Sequence, residues 1–369
     1  MIMNRTQTVR GIVSAMRERI TPAYRELCAS TPISLQKLME PGAFRFDEYC
    51  RGFRPHPQMN ELKKRAEAFG LEYGIWHAKS PHYVNCGWYL YPGADPDRLF
   101  TIIKSLVIGF HLNDVMGRDV FKHLPPEQQQ SARQLIKNIA GLDIGPDSSP
   151  LERVHAEMLR ETKRNAPGDW FDRFLRDYSR HIDITHSDQN ADSLGHIPCV
   201  DEYIENRCYY AAVHHLVLWI EYSSGEFLDW GETPIYERLK RLHWVAAAFP
   251  AFSNDLFSFE TEVIDNGCDS NLVTVILLNN PHLSLLEAIE EAGAVIRQLI
   301  TDILELLHSI KSDIAPASTL LAHLQAIEWF IQACWLWQAQ TLRYKRPHSI
   351  WVETREGINL EHEEIHHRL

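Results

Sequence analysis

Three oxygen-bearing side chains recur at four-residue spacing in the segment NDLFSFETE, residues 254–262. Asn254, Ser258 and Glu262 would point to nearly the same side of an α-helix, because four residues turn the chain by about 400°. An amide, a hydroxyl and a carboxylate supply the hard oxygen ligands that Mg²⁺ prefers. The same pattern also suits the solvated face of an ordinary helix, so this segment alone leaves both interpretations open.

A second polar group ends the strongly apolar segment IIKSLVIGFHLNDVMGRD, residues 102–119. Asn113, Asp114 and Asp119 would bring oxygen ligands to the point where a buried helix reaches the mouth of a cavity. In the alternative interpretation Asp114 pairs with Arg118 four residues later, and Gly117 simply ends the helix.

Basic residues occur in two further places. Arg207 follows IPCVDEYIEN on a predicted helix that begins after Pro198, where a single guanidinium would need an anionic partner such as a phosphate. A tryptophan-rich helical pattern containing Trp337 precedes the other basic group. Aromatic residues at helical spacing are more often core residues, but the polar and basic residues that follow this pattern favour an anion site. These residues are Arg343, Tyr344, Lys345 and Arg346.

The composition limits the partners of the chain. A formal net charge of -12 over 369 residues argues against binding of nucleic acid or of an anionic membrane surface. An anionic ligand would therefore depend on local arginines and on metal. The seven cysteines contain no CxxC pair, the N-terminus resembles no signal peptide, and no run of about 18 apolar residues occurs, so we expect a cytoplasmic protein without membrane insertion.

Apolar residues at three- and four-residue spacing run through most of the chain, for example in residues 99–112, 285–310 and 320–344. This periodicity predicts helices, and turn-bounded alternating segments typical of strands are scarce. We therefore expect an all-α fold in a single domain over residues 41–350. The predicted peripheral parts are an N-terminal segment, 1–40, and a C-terminal tail, 351–369.

The order and spacing of these motifs resemble those of class I terpene synthases of the microbial type. In that family an aspartate-rich motif precedes a diphosphate-sensing arginine, an N-x3-S-x3-E metal triad and a C-terminal Arg-Tyr pair. Arg207 lies 47 residues before Asn254, as is usual in the family, and FRPHPQMNE, residues 53–61, resembles its start. The resemblance covers about residues 50–347 and implies a helical bundle around a central cavity.

The resemblance assigns the metal ligands to two groups. Asn254, Ser258 and Glu262 match the triad that holds one Mg²⁺, while Asp114 is the best-matched ligand of the aspartate-rich motif. Asn113 stands where the family usually has the first aspartate of that motif, and Asp119 is displaced from the position of its last carboxylate. The resemblance further implies three Mg²⁺ ions per site, with Mn²⁺ as the alternative metal.

The same resemblance assigns the diphosphate and hydrocarbon contacts. Arg207 matches the sensor, Tyr210 the linker position, and Ala211, where glycine is usual, the effector whose carbonyl lies at a helix break. Arg343 and Tyr344 match the pair that donates to the diphosphate. Trp337 matches an aromatic residue that faces the cation, and Lys345 is a further candidate.

The implied function is Mg²⁺-dependent ionisation and cyclisation of a linear isoprenyl diphosphate. Gly109 and Phe110 would line the substrate pocket one turn before Asn113. A glycine there would enlarge the pocket and so slightly favours geranylgeranyl over farnesyl diphosphate. In the alternative interpretation Gly109 only admits a neighbouring helix. The alternatives are a prenyltransferase of the same fold and a non-catalytic isoprenoid-diphosphate-binding homologue. A homodimer is expected from the resemblance alone.

Overall fold

The computed structural model describes residues 5–121, 123–141, 144–185, 187–231, 234–315 and 318–356, without the side chains of 5–7, 118–119, 139–141 and 234. Within these ranges the chain is built from α-helices, one π-helical turn and two isolated β-bridges, and it forms no β-strand. The predicted all-α fold is therefore confirmed.

The helices run in chain order from α1 to α18. Their bounds are α1 Arg5–Ala29, α2 Leu35–Met39, α3 Phe46–Cys50, α4 Met59–Glu72, α5 Pro81–Val84, α6 Cys86–Leu90, α7 Pro96–Met116, α8 Arg118–Phe121, α9 Pro126–Gly141, α10 Pro150–Arg164, α11 Gly168–Thr185, α12 Ala191–Leu194, α13 Val200–Tyr210, α14 Val213–Ser224, α15 Pro234–Phe259, α16 Leu272–Asn279, α17 Leu285–Asp313 and α18 Thr319–Gln340. A π-helical turn, Glu260–Asp265, continues α15.

Helix α15 forms the centre of the bundle and packs against α14, α17 and α18. Three consecutive alanines, 246–248, are fully buried in its middle and allow neighbouring helices to approach closely. Its long apolar sequence fits a helix that is surrounded by protein on most sides.

Helix α7 lies beside this centre and begins at a well-formed N-cap. The Asp95 carboxylate accepts hydrogen bonds from the backbone N–H groups of Asp97 and Arg98, both at 3.0 Å, and Pro96 occupies the first turn. Of the described helices, α7 alone has the length and composition that could cross a membrane, and half of its apolar window is buried inside the protein. Packing against the bundle accounts for its apolar residues.

The two ends of the described chain meet. Ile33 forms a β-bridge with Trp351, which is fully buried, and the Glu353 carboxylate accepts a hydrogen bond from Leu35 N at 2.8 Å. Residues on both sides of the predicted boundaries at 40 and 350 thus take part in one packed region. Residues 357–369 of the predicted tail lie outside the described residues.

Both chain ends also reach the π-helical turn. The Glu260 carboxylate, 2 % exposed, accepts hydrogen bonds from the Tyr24 hydroxyl at 2.7 Å and from Ile350 N at 3.1 Å. Burial of a carboxylate is costly unless donors of this kind surround it. The N-terminal helix and the C-terminal segment therefore hold the start of the turn in place.

Candidate active site

A cavity of about 220 Å³ opens between α7, α11, α13, α14, α15 and α18. Most of the residues that the sequence predicted for the site lie in its wall. They are Gly109, Phe110, Asn113, Arg207, Tyr210, Ala211, Asn254, Glu262, Trp337, Arg343 and Tyr344. Segments that are up to 235 positions apart in sequence thus converge on one space.

The end of α7 brings Asn113 to the cavity and Asp114 to the surface beside it. The Asn113 amide lies 3.4 Å from the Asp114 carboxylate, a long hydrogen bond. Gly117 follows without room for a side chain, because a Cβ there would collide with the Asn113 carbonyl and lie 2.9 Å from its Oδ1. Gly117 therefore lets the chain turn closely around Asn113. The side chain of Asp119 lies outside the described part of the structure.

The side-chain amide of Asn254 is oriented from both sides. Its Oδ1 accepts a hydrogen bond from Arg207 Nη2 at 2.8 Å, and its Nδ2 donates to the Tyr344 hydroxyl at 2.6 Å. Asn254, a predicted metal ligand, thus links Arg207 and Tyr344, two predicted diphosphate donors. This junction fixes which way the amide oxygen points.

Of the other two members of the predicted triad, Glu262 lines the same cavity as Asn254, whereas Ser258 does not. The Ser258 hydroxyl donates to the Asn254 carbonyl at 2.7 Å, and Ser258 is not among the residues that line the cavity. The α-helix ends at Phe259, and the next turn is π-helical, with Asn266 N donating to Thr261 O at 3.0 Å. Glu262 lies in this wider turn and lines the cavity. π-Helical turns of this kind are frequent at functional sites.

The Arg207 guanidinium is not a lone charge, contrary to the expectation from sequence. It is 2 % exposed, and its Nε donates to the carboxylate of the fully buried Asp255 at 2.7 Å. The other carboxylate oxygen of Asp255 accepts from the Tyr203 hydroxyl at 2.5 Å and from Leu272 N at 2.9 Å. Asp255 was not among the residues predicted from the sequence, although it follows Asn254 directly along α15. Only the packing of α13 against α15 shows its contact with Arg207.

The predicted helix break lies between α13 and α14. Ala211 ends α13, and Ala212 adopts a φ of 68°, in the left-handed region that residues other than glycine rarely occupy. Two side chains of α11 bind carbonyls at this break: His181 Nδ1 lies 2.9 Å from Tyr209 O, and the Thr185 hydroxyl donates to Tyr210 O at 3.3 Å. Backbone of this kind tends to occur at functional sites.

Arg343 lies over the ring of Tyr83, with its guanidinium carbon 4.7 Å from the ring centre. Burial lowers the pKa of this guanidinium, but the nearby Tyr344 and Tyr83, together with the carboxylates of Asp114 and Glu262, outweigh burial and leave the pKa above its usual value. Arg343 is therefore a permanent positive charge in the cavity wall. Burial raises the pKa of the Tyr344 phenol, so its hydroxyl stays a donor.

Lys345 was predicted as a further candidate for the site, but its contacts lie elsewhere. Its ammonium group donates to the carbonyls of Ala339 at 2.9 Å and Glu353 at 2.6 Å, and Lys345 does not line the cavity. These bonds tie the end of α18 to the C-terminal segment. The side chain is therefore structural in this conformation.

The hydrocarbon end of the cavity has aromatic walls and free space. The Trp337 indole donates to Asn85 Oδ1 at 2.7 Å and meets the Tyr344 ring edge to face at 6.3 Å. A Cβ added at Gly109 would meet no atom within 4 Å. Gly109 therefore leaves space in the cavity and does not serve to admit a neighbouring helix.

The donor set suits a hard divalent cation that is shared with a ligand. Its side chains offer amide, hydroxyl and carboxylate oxygens, the ligands that Mg²⁺ prefers. In the described ranges no group of three or more His, Cys, Asp or Glu side chains could hold a metal alone. Mg²⁺ usually keeps several waters and is bound by few protein oxygens, so such a partial ligand set is compatible with it. The ligand assignment of individual residues stays a prediction.

Comparison with known proteins decides the family. The family model described as "Terpene synthase family 2, C-terminal metal binding" matches residues 104–302, which is more than half of the chain. This chain belongs to that terpene synthase family. The predicted class I, microbial-type family is thereby confirmed, and a dependence on divalent metal follows from its metal-binding domain.

Relatives of this terpene synthase chain are distant in sequence. (2Z,6E)-Hedycaryol synthase from Kitasatospora setae is 24% identical over 219 residues, which cover 59% of this chain and 64% of that enzyme. The chain thus spans less than two thirds of the length of this relative. The family assignment therefore rests on the family model, and the activity and substrate of the whole protein belong to the proposals below.

Solved structures show the same fold. The linalool/nerolidol synthase from Streptomyces clavuligerus superposes with a TM-score of 0.63 at 16% identity, over 78% of this chain and 97% of the other. A hedycaryol synthase solved with HEPES gives a TM-score of 0.62 at 20% identity, over 78% and 96% of the two chains. The all-α terpene synthase fold accordingly accounts for most of the described residues.

Proposed function

We propose that this chain is a carbon–oxygen lyase that ionises a linear isoprenyl diphosphate and cyclises the resulting carbocation. The observation that carries the proposal is the Asn254 amide, which hydrogen-bonds to both Arg207 and Tyr344 beside Glu262. Diphosphate donors and oxygen ligands for a metal thus meet at one end of a cavity. Membership in the terpene synthase family supports the same activity.

Departure of the diphosphate is the difficult step, because a C–O bond breaks and negative charge accumulates on the leaving group. Groups fixed in place before the reaction stabilise such charge without reorganisation. Arg343 supplies a permanent positive charge and Tyr344 a hydroxyl donor, while Asp255 holds the Arg207 guanidinium in position. A bound Mg²⁺ would add Lewis-acid stabilisation of the departing diphosphate. Asn113, Asp114, Asn254, Ser258 and Glu262 would hold the metal.

The walls of the cavity would then protect the cation. Phe110, Phe330 and Trp337 line it with aromatic faces that stabilise positive charge by cation–π attraction. Exclusion of water delays quenching of the cation, so the shape of the cavity can select the way in which the hydrocarbon chain folds.

The proposed substrate is either farnesyl or geranylgeranyl diphosphate, which differ in the length of the hydrocarbon chain. Gly109 leaves free space next to Phe110, which favours a longer chain. The comparisons with known terpene synthases give no support to geranylgeranyl over farnesyl diphosphate. We therefore propose both diphosphates as substrates. We also propose that the site uses three metal ions and that the metal is Mg²⁺.

A non-catalytic isoprenoid-binding homologue is the second candidate, because Asn113 replaces a charged ligand. Purified protein, Mg²⁺ and geranyl, farnesyl or geranylgeranyl diphosphate should separate the two functions. We expect diphosphate release together with a volatile terpene from at least one substrate. Binding of a diphosphate without any product from the three substrates would support the homologue and contradict the synthase.

Variants test the site itself. Glu262→Gln and Arg207→Ala should each lower diphosphate release by about 100-fold or more, as removal of one preorganised electrostatic group does in other enzymes. Glu290→Gln changes an exposed carboxylate of α17 and is the matched control. Full activity in both site variants would refute the assignment of Glu262 and Arg207 to the active site. Replacement of Mg²⁺ by Mn²⁺ in the same assay shows which metal supports activity.

A further inference from the structure

The cavity wall carries a polar group away from the diphosphate end. Tyr178, His181 and His215 line the cavity together with Ser105. Ser105 precedes Asn113 by eight residues on α7, which places the two Cα atoms about 12 Å apart along the helix axis. Tyr178 forms a side-chain hydrogen bond with Ser105, and the rings of His181 and His215 contact Tyr178. The three rings therefore lie on the Ser105 side of the cavity, away from Asn113, where they could reach the hydrocarbon part of a substrate.

His215 lies in the middle of this group and is 3 % exposed. Its ring meets the Tyr178 ring nearly perpendicularly at 4.9 Å, and the His181 ring lies at 4.9 Å on another side. Within the part of the chain that the structure describes, its Nδ1 has no hydrogen-bond partner. A buried polar atom without a partner is unfavourable in a purely structural position.

The neighbours of His215 already use their polar groups. The Tyr178 hydroxyl pairs with His155 Nε2 at 2.7 Å. His181 Nδ1 contacts both the Tyr209 carbonyl and the Thr185 hydroxyl at 2.9 Å, which binds it to the helix break. Of the two cavity-lining imidazoles, His181 thus has a structural function that His215 lacks.

Burial keeps the His215 ring neutral. It lowers the pKa of the imidazole well below its usual value, and His181 and His214 act in the same direction. A neutral imidazole has a lone pair on one ring nitrogen, so it can accept a proton. Such a nitrogen would have a chemical use in an apolar cavity that holds a carbocation, because it could take a proton from the cation.

We propose that His215 accepts the proton that ends the carbocation reaction, an inference that rests on the proposed cyclase function. A C–H bond next to the cationic carbon breaks, and its electron pair forms the C=C bond of the product. The proton passes to a ring nitrogen of His215, which becomes an imidazolium and later returns the proton to the released diphosphate or to solvent. A C–H bond beside a carbocation is a far stronger acid than imidazolium, so a weakly basic imidazole suffices.

The test compares His215→Phe and His215→Gln with the wild type. Phenylalanine preserves a ring against Tyr178 and glutamine is a smaller polar replacement, and neither has a basic nitrogen. His214→Phe is the matched control, because His214 packs on the Tyr209 ring at 4.5 Å and does not line the cavity. Circular dichroism confirms that each variant is folded. Diphosphate release and the distribution of volatile products are then measured with the substrate that the wild type uses.

Ionisation precedes proton transfer, so diphosphate release in both His215 variants should stay within about threefold of the wild type. The share of the main alkene should fall by about 10-fold or more, in favour of alcohols and other alkenes, since positioned bases contribute about 100-fold or more to such steps. An unchanged product distribution in both variants would overturn the proposal alone. A wild-type main product that is an alcohol would also overturn it. Absence of any diphosphate release from the wild type would instead refute the proposed function on which it rests.

Discussion

Replacement of Asp255 by asparagine tests how the structure holds Arg207. The carboxylate accepts from Arg207 Nε on one oxygen and from Tyr203 and Leu272 on the other. Every one of these partners is a donor. An asparagine side chain would turn its own NH₂ group toward one set of donors and would remove the negative charge that faces the buried guanidinium.

The expected loss is large for a change of one atom. Breaking a buried ion pair by removing one charge costs about 3–5 kcal/mol. An unfolding entropy of about 2.1 cal/mol/K per residue over the 369 residues converts this cost to a fall in Tm of about 4–6 °C. Tyr203→Phe removes one hydrogen bond to the same carboxylate, about 2 kcal/mol, and should lower Tm by about 3 °C.

Thermal unfolding followed by circular dichroism at 222 nm measures both variants. The double variant Arg207→Met/Asp255→Leu removes both charges and should be more stable than Asp255→Asn, because buried pairs can be replaced by apolar side chains at little cost. Asp255→Asn should also weaken pyrophosphate binding in the presence of Mg²⁺ by about 10-fold, since Arg207 loses its orientation. A Tm for Asp255→Asn no lower than that for Tyr203→Phe would refute the reasoning.

Three further variants test other parts of the site. Gly109→Phe should fill the free space beside residue 109. The kcat/KM for geranylgeranyl diphosphate, divided by that for farnesyl diphosphate, should then fall by about 10-fold or more, whereas Gly109→Ala should leave this ratio unchanged. The same ratio in the wild type and both variants would contradict the placement of residue 109. Gly117→Ala should raise the Mg²⁺ concentration for half-maximal activity about fivefold, because its Cβ collides with Asn113; metal titration checks this. Tyr24→Phe should lower Tm by about 2–4 °C, since Glu260 loses a donor, and an unchanged Tm would show that this contact contributes nothing.

The sequence predicted the all-α fold and the convergence of its polar motifs, because helical periodicity and residue type are local signals. Asn254, Glu262 and Arg343 were predicted through the family resemblance of their motif order, since their chemistry alone left other interpretations open. Their partners could not be predicted. Asp255 looks like any polar residue of a helix until α13 is packed against it, and only the packed bundle shows that its carboxylate belongs to Arg207.

The resemblance implied a helix break at Ala211, but the details of the backbone were beyond the sequence. The π-helical turn after Phe259 shifts hydrogen bonds by one residue, and nothing in SFETEVID marks the shift. Ala212 takes a left-handed conformation without the glycine that would signal it. His215 lies in a segment, VHHLVLW, whose apolar residues predict only a buried helix. The contacts of both chain ends likewise depend on pairs far apart in sequence, which local patterns do not reveal.

The contacts of Glu260 with both chain ends also set the order in which the site can form during protein synthesis. Tyr24 is made 236 residues before Glu260, and Ile350 is made 90 residues after it. Pairings of such separation form late, because the chain between them must first be ordered. The Tyr24–Glu260 contact therefore cannot form until 236 further residues have been made, and the turn that carries Glu262 gains the Ile350 donor only after 90 more.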